Sequence, residues 1–465
     1  MSYDIFENNN YNVFESIRKS PNFAVDYLKE MNYYSTNKKS PAVSLQDAVV
    51  KGLASDKGLY MPERIPNLPP SFFKKISEMS FQEMSYEVAS AFFGEDIEAD
   101  ILKTIVYDTL NFDTPLVEAT YPQPIYSLEL FHGPTMAFKD VGARFMARLL
   151  GYFVKKQGLE QVNVLVATSG DTGSAVANGF LGVKGIHVYV LYPKGKVSSI
   201  QESQFTTLGQ NITALEIDGT FDDCQTLVKT AFLDKELNEK MQLTSANSIN
   251  VARFLPQAFY YFNAYAQLRR LGIGENIVVC VPSGNFGNLT AGLIAKEMGL
   301  PVKRFIAANN KNDVFFQYLL TGLYNPKPAV QTLANAMDVG DPSNFVRILD
   351  LYGHSHQAIT EVISGFSCSD ELIRETVKTC YQETGYLLDP HGACGYRALK
   401  NSLQPGETGV FLETAHPAKF KDTIENIIGK PVEIPQKLKE FMKGEKQNIR
   451  LSKDFLEFKR FLISC

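Results

Sequence analysis

From residue 162 onward the chain repeats one short phrase. A near-continuous apolar run of six or seven residues ends in small or turn-forming residues, and in several places a helix-like pattern follows. VNVLVAT (162–168), IHVYVLY (186–192), ITALEI (212–217), NIVVCVP (276–282), RFIAANN (304–310) and GVFLET (409–414) all read this way. A strand that is apolar on both faces must be covered on both faces, so strands of this kind alternating with helices predict parallel sheets packed between helices. Ligands of open parallel sheets bind beyond the carboxyl ends of the strands. The residues that follow each run are therefore where chemistry is expected.

Three of those places carry suggestive residues: SGDTG (169–173), SGNFGN (283–288) and TAHPAKF (414–420). The first two set glycines and hydroxyl or amide side chains at helix N-termini, where free backbone N–H groups and the helix dipole favour an anion. Neither is a Walker A loop, and neither carries the full G-x-G-x-x-G fingerprint. Taken singly, each also reads as an ordinary capped turn. Upstream, FHGPTMAFKDVGARF (131–145) places Lys139 between Phe138 and Asp140 in an apolar, glycine-punctuated stretch. A free lysine titrates near about 10.4 and is a poor nucleophile at neutral pH, whereas desolvation favours the neutral amine. The bland alternative is a lysine stem lying on apolar surface with its head in water. An amine with two anion-ready turns on one sheet suits pyridoxal phosphate, which needs a Schiff-base lysine, a phosphate cradle and a partner for its ring nitrogen.

Composition removes other classes. The formal net charge of −5 over 465 residues gives no overall attraction to nucleic acid or anionic membrane. No apolar segment approaches the roughly 20 residues a membrane-spanning helix needs. The six cysteines contain no C-x-x-C pair, which argues against a zinc site and against a disulfide framework, and no metal is expected. Residues 1–30 are polar and Asn-rich, without the charged and apolar regions of a secretory signal. They read either as a dispensable extension before Met31 or as an added helix, and a cytoplasmic location is expected.

The wording of the motifs resembles the threonine synthase family of fold-type II pyridoxal-phosphate enzymes. The resemblance runs through MNYYSTN, SLQDAVVKGLASDKGLYMPE, LFHGPTMAFKD, ATSGDTG, GTFDDCQ, SANSINVARFLPQ, PSGNFGNLTAG and ETAHPAKF, most of residues 31–430. It implies two open twisted parallel-sheet domains flanked by helices, with a mainly helical N-terminal segment. The division it implies is an N-terminal domain at 31–115, a cofactor domain at 116–149 and 250–430, a small closing domain at 150–249, and a helical tail at 431–465. It further implies conversion of O-phospho-L-homoserine and water to L-threonine and phosphate, by a monomer or homodimer.

Carried over by position, Lys139 is the Schiff-base lysine and the acid and base of the reaction. Gly284, Asn285, Phe286, Gly287 and Asn288 hold the cofactor phosphate, although the family often has Asp at the place of Asn288. Thr414 faces the pyridine nitrogen, and Ser169 and Thr172 grip the substrate carboxylate. Asp171 stands where relatives often have Asn. For the substrate phosphate the candidates are Arg253, Lys196 with Ser198 and Ser199, and Asn247 or Asn250. Two other readings stand beside this one: an enzyme of the same fold doing β-chemistry, which the motif wording disfavours, and a non-catalytic protein that binds the cofactor or a phosphorylated ligand.

Overall fold

The computed structural model describes residues 31–120 and 123–464, so the expected extension at 1–30 lies outside the described residues. All six sequence runs form strands, and they divide between two sheets. The six-stranded sheet has the order Ile363–Ser367, Val302–Asn309, Ile277–Pro282, Thr408–Glu413, Ile125–Glu129, Leu116–Thr120. All its pairings are parallel except that of the last two strands, which are antiparallel. The five-stranded sheet, wholly parallel, has the order Ile449–Ser452, Ile212–Asp218, Ile186–Pro193, Val162–Ala167, Gln242–Ser245. Val162–Ala167 and Ile277–Pro282 are buried at every residue, as their unbroken apolar wording requires.

Three helices begin at candidate residues: α1 (Lys139–Gln157), α2 (Asp171–Phe180) and α3 (Gly287–Glu297). Each starts beyond a strand, and α3 is buried along its length from Gly287 to Ala295. Ahead of the sheets, a two-stranded ribbon (Tyr33–Ser35 with Tyr60–Pro62) precedes mainly helical structure. There Ser80 and Glu83 close a capping box on Phe81–Phe93. Among the described residues no helix is long and apolar enough to cross a membrane.

The segment that carries Arg253 is divided into Val251–Phe254, a 3-10 turn at Leu255–Gln257, and Ala258–Arg270. Pro256 sits in that turn, where its missing N–H does least harm. The tail at 431–465 is not wholly helical, because Ile449–Ser452 adds a parallel strand beside Leu215–Asp218. Glu216, buried in the neighbouring strand, draws it there through Arg450 at 2.8 Å and Lys446 at 3.0 Å. The basic tint of the tail is matched by several carboxylates, among them Glu202, Glu216, Asp223 and Asp234.

Candidate active site

Carboxyl ends of strands from both sheets open on one cleft of about 740 Å3. Its walls carry Lys139, Ser169, Thr172, Lys196, Arg253, the whole run from Ser283 to Asn288, and Thr414. Of the substrate-side candidates, Ser199, Ser198 and Asn250 stand apart from these walls. Ser198 caps Ser199–Thr206 by accepting from the backbone N–H of Gln201, and Ser199 is exposed on the first turn. Asn250 caps Val251–Phe254, and its amide donates to the Val49 carbonyl at 2.9 Å.

Lys139 is the first residue of α1, and its Nζ donates to Thr172 Oγ1 at 2.9 Å. Burial is the largest influence on the amine. It is opposed by the Asp171 carboxylate and reinforced by the Arg253 and Lys419 cations, and the balance lowers its pKa to about 8. In the cofactor-free chain, Lys139 is accordingly expected to react with an amine-directed reagent with a midpoint near about 8, against about 10.4 for a free lysine. Peptide-resolved mass spectrometry across a pH series checks this. Because the unfolded chain holds that proton to higher pH, the cofactor-free fold gains stability as pH rises from about 8 to about 10.4.

The Ser283–Asn288 turn approaches its neighbours closely. A Cβ on Gly284 would stand 2.8 Å from Met337 Cα, so only glycine fits, and Phe286 takes the left-handed conformation at φ 61° to start α3. The Asn285 side chain is occupied with protein: its amide donates to Ser248 Oγ at 2.8 Å and its carbonyl accepts from Ser343 N at 2.6 Å. Asn288 differs. Tyr260 and Tyr261 both donate to its Oδ1, at 2.6 and 2.7 Å, which leaves Nδ2 as a buried donor without a protein partner. A dry, unsatisfied N–H donor at a helix N-terminus on the wall of the cleft matches an anion. With Lys139 and the neutral Thr414 hydroxyl facing the same space, the donor set fits pyridoxal phosphate.

Arg253 is 3% exposed and is no surface ion pair. Its Nε donates to the Ala246 carbonyl at 3.0 Å and one Nη to the Lys139 carbonyl at 2.9 Å. Among the described residues no carboxylate forms an ion pair with it, and burial lowers its pKa only to about 10, so it remains a cation at the cleft. Ser248, between Asn247 and Arg253 in the chain, accepts from both Asn285 and Asn344, which directs its own hydroxyl proton elsewhere. Behind it the fully buried Arg347 donates to the carbonyls of Ser248 at 2.9 Å, Ile249 at 2.6 Å and Tyr60 at 3.0 Å.

Sequence reasoning passed over several of these residues. Ser248 and Arg347 carry no local signal, since their roles depend on chain segments about 100 residues apart. His391 lines the cleft with Nδ1 2.6 Å from Asp389 Oδ1, while Nε2 accepts from Ala336 N, so the proton sits on Nδ1. The DPH wording at a helix start could have flagged it. Lys419 sits among Pro417, Ala418 and Phe420, the same kind of apolar company that singled out Lys139.

Three family models match the chain: pyridoxal-phosphate dependent enzyme over residues 107–414, threonine synthase N terminus over 32–110, and threonine synthase, C-terminal, over 392–462. Threonine synthase from Haemophilus influenzae is 44% identical over 433 residues, 93% of this chain and 100% of that protein. The crystal structure of threonine synthase from Escherichia coli superposes with a TM-score of 0.87 at 43% identity, covering 93% of this chain and 100% of that one. Pyridoxal-phosphate-bound threonine synthase from Brucella melitensis does so with 0.87 at 33% identity, covering 94% and 99%.

Proposed function

The chain belongs to the threonine synthase family of pyridoxal-phosphate-dependent lyases, and from that premise we propose that its substrate is O-phospho-L-homoserine, turned over with water to L-threonine and phosphate. The observation that carries this reading is the meeting, in one cleft, of the Lys139 amine, the Asn288 donor and the Arg253 cation.

Pyridoxal phosphate, when bound, supplies an electron sink for the charge left when a proton departs beside the amino group. The chain's own residues do the rest. The Lys139 amine, with a pKa of about 8, takes the proton from Cα and returns it, and Thr172 Oγ1 aims its Nζ. The backbone of the Ser283–Asn288 turn and the Asn288 amide hold the cofactor phosphate. Thr414 offers the ring nitrogen a neutral hydroxyl, which favours an unprotonated nitrogen. Ser169 and the start of α2 take the substrate carboxylate. Arg253, with Asn247 and Ser248 beside it and Lys196 nearer the mouth, binds the departing phosphate. Movement of residues 150–249, which carry four strands of the five-stranded sheet, against 116–149 and 250–430 would exclude water until the addition step.

Phosphate release coupled to identification of the amino-acid product tests the reading. Threonine formed from phosphohomoserine supports it. Binding without turnover would favour the non-catalytic alternative, and products of β-chemistry the other. Arg253→Ala is expected to raise KM for the phosphorylated substrate about tenfold or more, from loss of a charge-assisted hydrogen bond, with the cofactor absorbance retained. An unchanged KM removes Arg253 from the substrate-phosphate subsite.

A further inference from the structure

Lys419 lies in the turn Pro417–Phe420, just after Thr414, and its side chain is 0% exposed. Its Nζ stands 2.5 Å from Asp171 Oδ1 and donates to the Thr135 carbonyl at 2.9 Å. Asp171, 5% exposed, opens α2 immediately before Thr172, the acceptor for Lys139. Thr135 in turn holds Asp140, through its N–H at 2.9 Å and its hydroxyl at 2.6 Å, closing the turn from which Lys139 emerges. Lys419 thus ties together the two segments on either side of the Lys139 amine. Two glutamines of Ser199–Thr206 complete the arrangement, Gln201 donating to Asp171 and Gln204 to the Thr135 carbonyl, each at 2.9 Å.

Neither Asp171 nor Lys419 lines the cleft. A buried ion pair is a weak contributor to stability, because desolvation offsets much of the attraction. Its position is more informative. The charges that face Lys139 are Asp171, Arg253 and Lys419, with Asp140 next to it on α1. Asp171 favours the ammonium form, and the two cations disfavour it. Without Lys419, the Asp171 carboxylate would have Lys139 as its nearest cation.

We propose that Asp171 and Lys419 are positioning residues that set the proton affinity of Lys139 from behind the cleft, Lys419 holding the carboxylate to itself so that the Lys139 amine stays available as a base. The proposal rests on Lys139 being the cofactor lysine.

The test is a pH titration of the visible band of the cofactor-loaded protein, which reports protonation of the nitrogen that Lys139 carries. Lys419→Met is expected to move the midpoint up by about one pH unit and Asp171→Asn to move it down by about one, with the double variant returning close to wild type. A purely structural pair gives shifts of one sign or none, and either result overturns the proposal. If Lys419→Met does not fold, Asp171→Asn is compared with the double variant, which carries no buried charge at either position. The double variant must then titrate above Asp171→Asn, and an equal or lower midpoint overturns the proposal. A visible band that persists in Lys139→Ala would instead overturn the underlying reading of Lys139.

Discussion

Lys139→Ala is expected to lose the visible absorbance of the cofactor-loaded protein and to lower turnover by about four orders of magnitude. Two contributions disappear together. One is the covalent anchor, which the backbone of the Ser283–Asn288 turn cannot replace. The other is the proton carrier, the amine in hydrogen-bond contact with Thr172 Oγ1 at 2.9 Å. Arg253 also fills the neighbourhood, but a guanidinium with a pKa of about 10 stays protonated and cannot act as the base at neutral pH. Absorbance spectra and phosphate release measure the two losses separately. Partial recovery of turnover on adding a small primary amine would show that the deficit is the missing base and not a collapsed cleft. Retained absorbance together with wild-type turnover would remove Lys139 from the reaction.

Gly142→Ala should be a damaging single-methyl addition beside the cleft. Gly142 lies one turn along α1 from Lys139, and a Cβ there would stand 2.3 Å from the Arg253 carbonyl oxygen and 2.8 Å from its guanidinium. Alanine is the better helix former by about 1 kcal/mol. The clash is with backbone, which has no rotamer into which to retreat, and overpacking of this kind costs about 1–3 kcal/mol. Sterics therefore outweigh propensity, and the net effect is destabilising. The same push separates α1 from Val251–Phe254 and strains the 2.9 Å bond from Arg253 to the Lys139 carbonyl. Thermal unfolding should show the lost stability, and a raised KM for phosphohomoserine should show the displaced cation. A stabilised variant with unchanged KM would mean that the two segments yield freely.

The interior strands were legible because burial on both faces leaves a continuous apolar word. Those that escaped notice are of two kinds. Ile363–Ser367, Leu116–Thr120, Ile449–Ser452 and Gln242–Ser245 are sheet edges with mixed wording, the first three partly exposed along most of their length and the last short and polar. Ile125–Glu129 is interior, but Ser127 and Glu129 interrupt its apolar pattern, and both are satisfied by the Tyr386 hydroxyl, which donates to Glu129 at 2.9 Å and lies within hydrogen-bond distance of the Ser127 hydroxyl at 2.8 Å. That satisfaction comes from a residue more than 250 positions away, which a local reading does not see. The candidate site divides similarly. Lys139, Asn288 and Thr414 were marked by their turns and by family wording. Ser248, Arg347 and the partnership of Lys419 with Asp171 exist only once distant segments meet. Arg253 was found for its chemistry, while its burial and its bonds to Ala246 and Lys139 needed the fold.

The strand Ile449–Ser452 also has a consequence for the order in which the molecule can be finished. A ribosome delivers Ile212–Asp218 more than 200 residues before the segment that pairs with its outer side. In that interval the strand offers a bare row of N–H and C=O groups, with buried Glu216 still waiting for Lys446 and Arg450. The nascent five-stranded sheet is therefore most open to association with other chains late in synthesis, and the arrival of residues 446–452 closes that vulnerability. Chains cut short before residue 449 should therefore aggregate more readily than the full chain, which light scattering during refolding checks.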